Sequence, residues 1–184
     1  IGLVGLLDFF MADPGKYAAF RDRERAASER AAAVENIADG KSPRAHLDFL
    51  RPEQRFAVIE RRGRTTIDPA SYRRYDTVAH VVESIDAPGA VALYLELEPL
   101  IDDAYAEISP PGSRFSDRLD AAFDHLLAVT PPSCEPVVTR KVVTYVYEDE
   151  SLERLSGAQR QFLRMGPENV LLIKAKLRDL KGAL

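Results

Sequence analysis

Apolar positions recur at helical spacing along most of this chain and at strand spacing in only three short runs, a distribution that predicts a mostly helical α+β fold. The first run, IGLVGLLDFFMA, reads as an N-terminal helical segment over residues 1–13, interrupted by Asp8. Asp13 at an N-cap and Pro14 at the first helical position then open a long helix that runs to residue 39 and stops at Gly40. Its middle is rich in Arg, Glu and Ala and shows a thin apolar stripe through Phe20, Ala27, Ala31, Val34 and Ile37, the pattern of a solvated edge helix. Residues 41–52, with Pro43 and Pro52, read as a structured loop whose Leu47, Phe49 and Leu50 tuck against the core. Two alternating runs, 56–61 and 64–67, flank Arg62-Gly63 and predict a hairpin with glycine in the tight turn.

Asp68-Pro69 repeats the helix-start signal for a helix to residue 85. Tyr72, Tyr75, Val78, Ala79, Val82 and Ile85 share its inward face, and Arg73, Asp76 and His80 fall on another. Asp86 caps a helix to residue 108 with an expected inward stripe of Leu93, Leu97, Leu100, Ile101, Ala104 and Ile108, and Pro99 predicts a kink or two abutting helices near Glu98. Residues 115–129 form a further amphipathic helix. TPPSCEP, residues 130–136, is read as an internal connection to a β-branched run, 137–147, expected as the central strand that joins the hairpin in an antiparallel sheet of about three strands. Ser156 and Gln159 have capping-box spacing, Gly166 stops that helix, and Pro167-Glu168 starts the last one, with Val170, Ile173, Leu177 and Leu180 inward. Its Lys174, Lys176, Arg178 and Lys181 suit the negative end of the helix. The sum is six to seven helices on a small sheet, with residues 1–184 as a single domain.

Composition narrows the function classes. The chain has 184 residues, 46% of them hydrophobic, and 25 Lys+Arg against 29 Asp+Glu, a net charge of −4. That much apolar content with so little charge belongs to a folded chain. Mild acidity disfavours nucleic acid, whose binders concentrate positive charge. The single cysteine, Cys134, excludes an intrachain disulfide and a cysteine-based zinc cage. No apolar run reaches the ~18 to 20 residues of a membrane span. The chain starts at Ile1 rather than a methionine, so a preceding segment is expected, one with room for a signal peptide or membrane anchor.

Motifs for chemistry are sparse. Gly40-Lys41-Ser42 ends like a P-loop, but Glu35 stands where the first glycine belongs. His46, His80 and His125 lie on separate elements, the last two on polar flanks, so no metal set is predicted. Asp117, Asp120 and Asp124, and Glu98, Asp102, Asp103 and Glu107, read as solvated acidic faces. Cys134 has no base near it in sequence, and no G-x-S-x-G turn presents a serine. No catalytic residue, metal or cofactor is assigned. The interaction candidates are Arg44 and His46 in the loop, Arg73 beside the inward tyrosines, and Glu168 at a helix start. Leu171, Leu172 and Ala175 fall outside the main stripe of the last helix and suggest a face for a partner or a second copy.

SPRAHLDFLRP, DPASYRRYD, EPLIDDAYAEI with the following FSDRLDAAFDHLLA, and LSGAQRQFLRMGPENVLLIKAKLRDL occur here in that order. Together, over about residues 36–182, they resemble the bacterial family known as domain of unknown function 3014. Residues 21–35 depart from the family's more apolar helix there. The resemblance implies a single-pass envelope protein with its soluble domain on the periplasmic side of the inner membrane, and it carries over no catalytic residue or cofactor. The expectation is therefore a non-enzymatic interaction or scaffold module with an unknown protein partner and no nucleic acid. The rival is a ligand-binding protein or enzyme whose site lies where the 41–52 loop meets the sheet and the Gly166 junction, using Arg44, His46 and a carboxylate.

Overall fold

A computed structural model describes residues 29–47, 51–107, 109–142 and 144–184. The expected segment 1–13, the helix over 14–28, and Phe49, Leu50, Ile108 and the side chain of Ala104 lie outside the described residues. Helix α1 covers residues 29–38 and ends at Gly40, whose φ of 71° is one that glycine adopts freely. A 3-10 turn, Pro43–Ala45, follows, and Leu47 is half-buried as expected. Strands β1 (Val58–Arg61) and β2 (Arg64–Ile67) pair antiparallel, with Arg62 and Gly63 both at positive φ, as a two-residue type I′ turn demands. Helices α2 (Pro69–Arg73), α3 (Asp76–Glu83), α4 (Ala87–Ala106) and α5 (Phe115–Leu127) come next. Strands β3 (Val138–Lys141) and β4 (Thr144–Tyr147) precede α6 (Glu150–Glu153), α7 (Gly157–Leu163) and α8 (Pro167–Ala183).

The chain is therefore α+β and mostly helical, but the sheet differs from expectation. The run 137–147 is a second hairpin, and the two two-stranded sheets meet through β2 and β3 and an isolated bridge between Thr66 and Val137. Its turn places Val142 at φ 54°, 85% exposed, so a β-branched residue stands where a turn signature would hold Gly or Asn.

Three helical readings also change. The 69–85 helix breaks at Arg74-Tyr75, because the Tyr72 carbonyl accepts from the Tyr75 amide at 3.0 Å and from Asn169 Nδ2 at 3.2 Å instead of continuing the helical ladder. Of the two outcomes expected at Pro99, two abutting helices do not form: α4 is one helix from Ala87 to Ala106 with Pro99 inside it. The inward face of α4 is Ala87, Val91 and Tyr105, whereas Leu93, Leu97 and Leu100 are 56%, 39% and 67% exposed. Capping-box geometry at Ser156 and Gln159 forms as expected, with both reciprocal bonds present.

Helix α8 is the hub, packed by α3, α4, α5 and α7. Val170, Ile173 and Leu177 from α8 join Ile67, Ala79, Val129, Val138, Tyr147, Phe162 and Leu163 in one buried cluster. Leu172 packs against that cluster rather than facing a partner, while Leu171 and Ala175 are exposed as expected. Among the described residues no single helix is long and apolar enough to cross a membrane. The pair α3 and α4 passes only as a bent unit, at 79°, and Ala79, Ala87 and Val91 from that unit are core residues.

Candidate functional site

Four places combine polar or apolar side chains in ways that could serve function. The first is where α2, α7 and α8 meet. Gly166, at φ 92° and ψ 157°, lies so close to Tyr72 that an added Cβ would sit 2.6 Å from its Cβ and Cγ. Three residues later, buried Asn169 donates through Nδ2 to Tyr72 O at 3.2 Å, Asp76 Oδ1 at 3.0 Å and Met165 O at 2.9 Å. Asp76, expected on a polar flank, is thus half-buried. A cleft of about 230 Å³ opens beside this junction between Tyr72, Pro136, Tyr147, Leu152, Leu163 and Pro167, with the exposed Cys134 and Glu135 also lining it. Burial raises both phenols above their ordinary range, Tyr72 strongly, with the neighbouring Tyr147 and Glu135 adding to it there. At neutral pH both stay protonated and supply hydrogen-bond donors, not a base.

The second place holds a serine and a histidine. His125, expected on an exposed flank, is half-buried, and its Nε2 lies 2.6 Å from Ser156 Oγ. Such a pair has the spacing of a nucleophile and its base. Here Ser156 Oγ also accepts from Gln159 N at 3.1 Å, Gln159 Nε2 donates to His125 O at 3.1 Å, and a Cβ on Gly40 would come within 3.0 Å of Ser156 Cβ and 3.3 Å of His125 Nε2. The hydroxyl is engaged as a helix cap that ties α5 to α7.

The third is the docking of α1. Glu35 accepts from Tyr105 OH at 2.6 Å and Arg118 Nε at 2.8 Å, and Arg118 Nη2 also binds Asp39. Burial and this bond push the Tyr105 phenol up to about 12, and hydrogen bonds from Lys41 and Arg118 hold the Asp39 carboxyl below its usual range. Helix α1 is therefore attached by a charged clasp and by buried Ala33. Lys181 similarly joins α8 to α5, reaching Asp120 at 2.9 Å and Asp124 at 2.5 Å.

Lys174, read from sequence as suiting the negative end of α8, is 7% exposed, with its ammonium donating to the Val129 carbonyl. Burial, helped by Arg178, pulls its pKa down. Because the folded state binds this proton less tightly than the unfolded chain, the group costs stability at neutral pH, and the cost is relieved as pH rises through the lowered value toward about 10.5. The stability difference between the native chain and Lys174→Met is expected to move in favour of the native chain across that alkaline window. Urea midpoints of both proteins measured in parallel cancel the opposing tyrosine titrations, and a difference independent of pH would refute the assignment.

The fourth is α4. Leu93, Leu97 and Leu100, at i, i+4 and i+7, stack along one face, with Leu95 exposed on another. The acidic residues of α4 divide in two. Glu98 pairs with Arg114 at 3.2 Å and Asp102 accepts from the Phe115 amide at 3.0 Å, while Glu96 and Asp103 are exposed and make no hydrogen bond or ion pair among the described residues.

The residues singled out from sequence do not converge. Arg44 is exposed on the 3-10 turn, His46 is half-buried after it, Arg73 is exposed on α2, and Glu168 is exposed in the first turn of α8. No hydrogen bond or ion pair joins any two of them among the described residues. The 41–47 stretch packs on the start of α7, where Gly157 closes on the Ser42 amide, and lines no part of the Tyr72 cleft. Among the described residues no group of His, Cys, Asp or Glu could hold a metal ion.

The sequence model of the family described as Protein of unknown function (DUF3014) matches residues 27–181. The chain belongs to the DUF3014 family. No curated protein and no solved structure matches. Two of the segments that carry the DUF3014 resemblance, DPASYRRYD and RMGPEN, meet at the Tyr72, Gly166 and Asn169 junction. The matched region also takes in α1, which docks through Glu35.

Proposed function

We propose that this DUF3014 chain is a non-enzymatic interaction or scaffold module of a bacterial cell-envelope protein, facing the periplasm from a membrane-anchored polypeptide. The observation that carries the interaction reading is the leucine face of α4. Its rotation is fixed: Tyr105 is held by Glu35, Asp102 by the Phe115 amide, and Glu98 by Arg114, so the opposite side of the helix is committed to the core. Three leucines that stay in water on a helix so anchored are the mark of a surface that is covered in use. The envelope location rests on the family resemblance and on nothing in the geometry. The rival ligand site in the 41–52 loop has less support, because Arg44 points to solvent and the Tyr72 cleft lies elsewhere.

A photo-crosslinking residue placed at Leu97 in the native cell is expected to give a discrete adduct, and the same residue at Arg62, exposed on the β1–β2 turn, is expected to give none. Equal yields at both positions would count against docking. In the same cells exposed Cys134 reports the compartment. A thiol reagent that cannot cross the inner membrane should label it once the outer membrane is permeabilised, and labelling only after inner-membrane lysis would overturn the periplasmic assignment.

A further inference from the structure

We infer that the partner seated on Leu93, Leu97 and Leu100 is an amphipathic helix with a basic flank, contributed by another protein rather than by a second copy of this chain. The inference rests on the reading of α4 as a docking surface and adds the chemistry of what docks there. The three leucines span two turns, about 10 Å of helix, in a single row. A row of that length and spacing matches the ridge of another helix, whose own apolar residues at i, i+4 and i+7 pack between them.

Charge then selects among helices. The sequence of α4, APGAVALYLELEPLIDDAYA, holds four acidic residues and no basic one. Glu98 and Asp102 are engaged within the chain. Glu96 and Asp103 are seven residues apart, so both lie along the same edge of the leucine row, exposed and without a hydrogen bond or ion pair among the described residues. If two copies paired antiparallel through this face, that acidic edge would meet its own image, and like charges directly opposed disfavour the pairing. The same edge repels an anionic lipid surface. A helix with Lys or Arg along one edge of its apolar stripe satisfies both features at once.

Two synthetic amphipathic helical peptides test this, with the same leucine stripe at i, i+4 and i+7 and either Lys or Glu along its flank. Each is titrated into the isotopically labelled chain, with α4 amide shifts as readout. The Lys peptide is expected to bind at least roughly tenfold more tightly, with shifts confined to α4 and a preference that shrinks as salt rises. The E96K/D103K variant should reverse the order, and Leu97→Asn should abolish both. Equal binding of the two peptides at α4, or an unchanged order in E96K/D103K, overturns the charge inference and leaves docking standing. No binding of either peptide together with Leu97-dependent dimerisation overturns it in favour of a second copy. No binding by a monomeric chain overturns it as well, and the fate of the docking reading then rests on the crosslinking at Leu97.

Discussion

Gly166→Ala is expected to destabilise the chain by about 3 kcal/mol or more, read as a fall in the urea midpoint with little change in slope. Two independent costs add at this one atom. The backbone at φ 92° and ψ 157° occupies a region that only glycine enters without strain. The new Cβ would also lie 2.6 Å from Tyr72 Cβ and Cγ, atoms close to the backbone of α2 that cannot swing aside as a side-chain end could. Relief would need α2 to part from the α7–α8 junction, which also loosens Tyr72 against the core and the bonds made by Asn169. Gly63→Ala is the control. It also has positive φ, 73°, but no atom lies within 4 Å of its added Cβ, so it should show only the smaller conformational cost. Equal losses at the two sites would show that backbone strain alone, not packing on Tyr72, makes Gly166 necessary.

That contrast marks where the sequence is informative. Helix starts and stops were legible because the chemistry is local: Asp68, Asp86 and Ser156 cap within three residues, and Gly40 and Gly166 end helices at the positive φ that glycine adopts freely. What Gly166 touches was not legible, since Tyr72 is nearly a hundred positions away. The second hairpin was missed because Val142 turns the chain without a turn residue. The facing of α4 was misread for a different reason. Apolar residues occupy more than one side of that helix, so periodicity does not identify the inward side, and the choice is made by Tyr105, Asp102 and Glu98 through partners on α1 and α5. The leucines taken for core thus became the candidate interface, while the face suspected on α8 lost Leu172 to the core. His125 was misplaced because a polar type predicts exposure only until a tertiary hydroxyl offers it a partner, and the burial of Lys174 against the Val129 carbonyl was illegible for the same reason.

Asn169→Asp is expected to be the most damaging single change, costing about 4 kcal/mol near neutral pH. The native amide is 4% exposed and its Nδ2 faces three oxygens: the carbonyls of Tyr72 and Met165 and the carboxylate of Asp76. An ionised aspartate has the same shape but no hydrogen to give. It would set a buried negative charge against three acceptors, one of them already charged, and leave two carbonyls without their side-chain donor. Asn169→Ala removes the donor without adding charge, so it should cost less, about 2 kcal/mol. The sign of the pH dependence separates the two. Burial among acceptors raises the folded-state pKa of the new carboxyl, so its contribution is intact below the unfolded value near 4 and is lost as pH rises through the folded one. The gap between Asn169→Asp and Asn169→Ala should therefore narrow on acidification and widen toward pH 7. Urea midpoints of both variants across that range check it, and a gap that stays constant would mean that the side chain at 169 has turned out to solvent, freeing the α2–α8 junction from the role assigned to it.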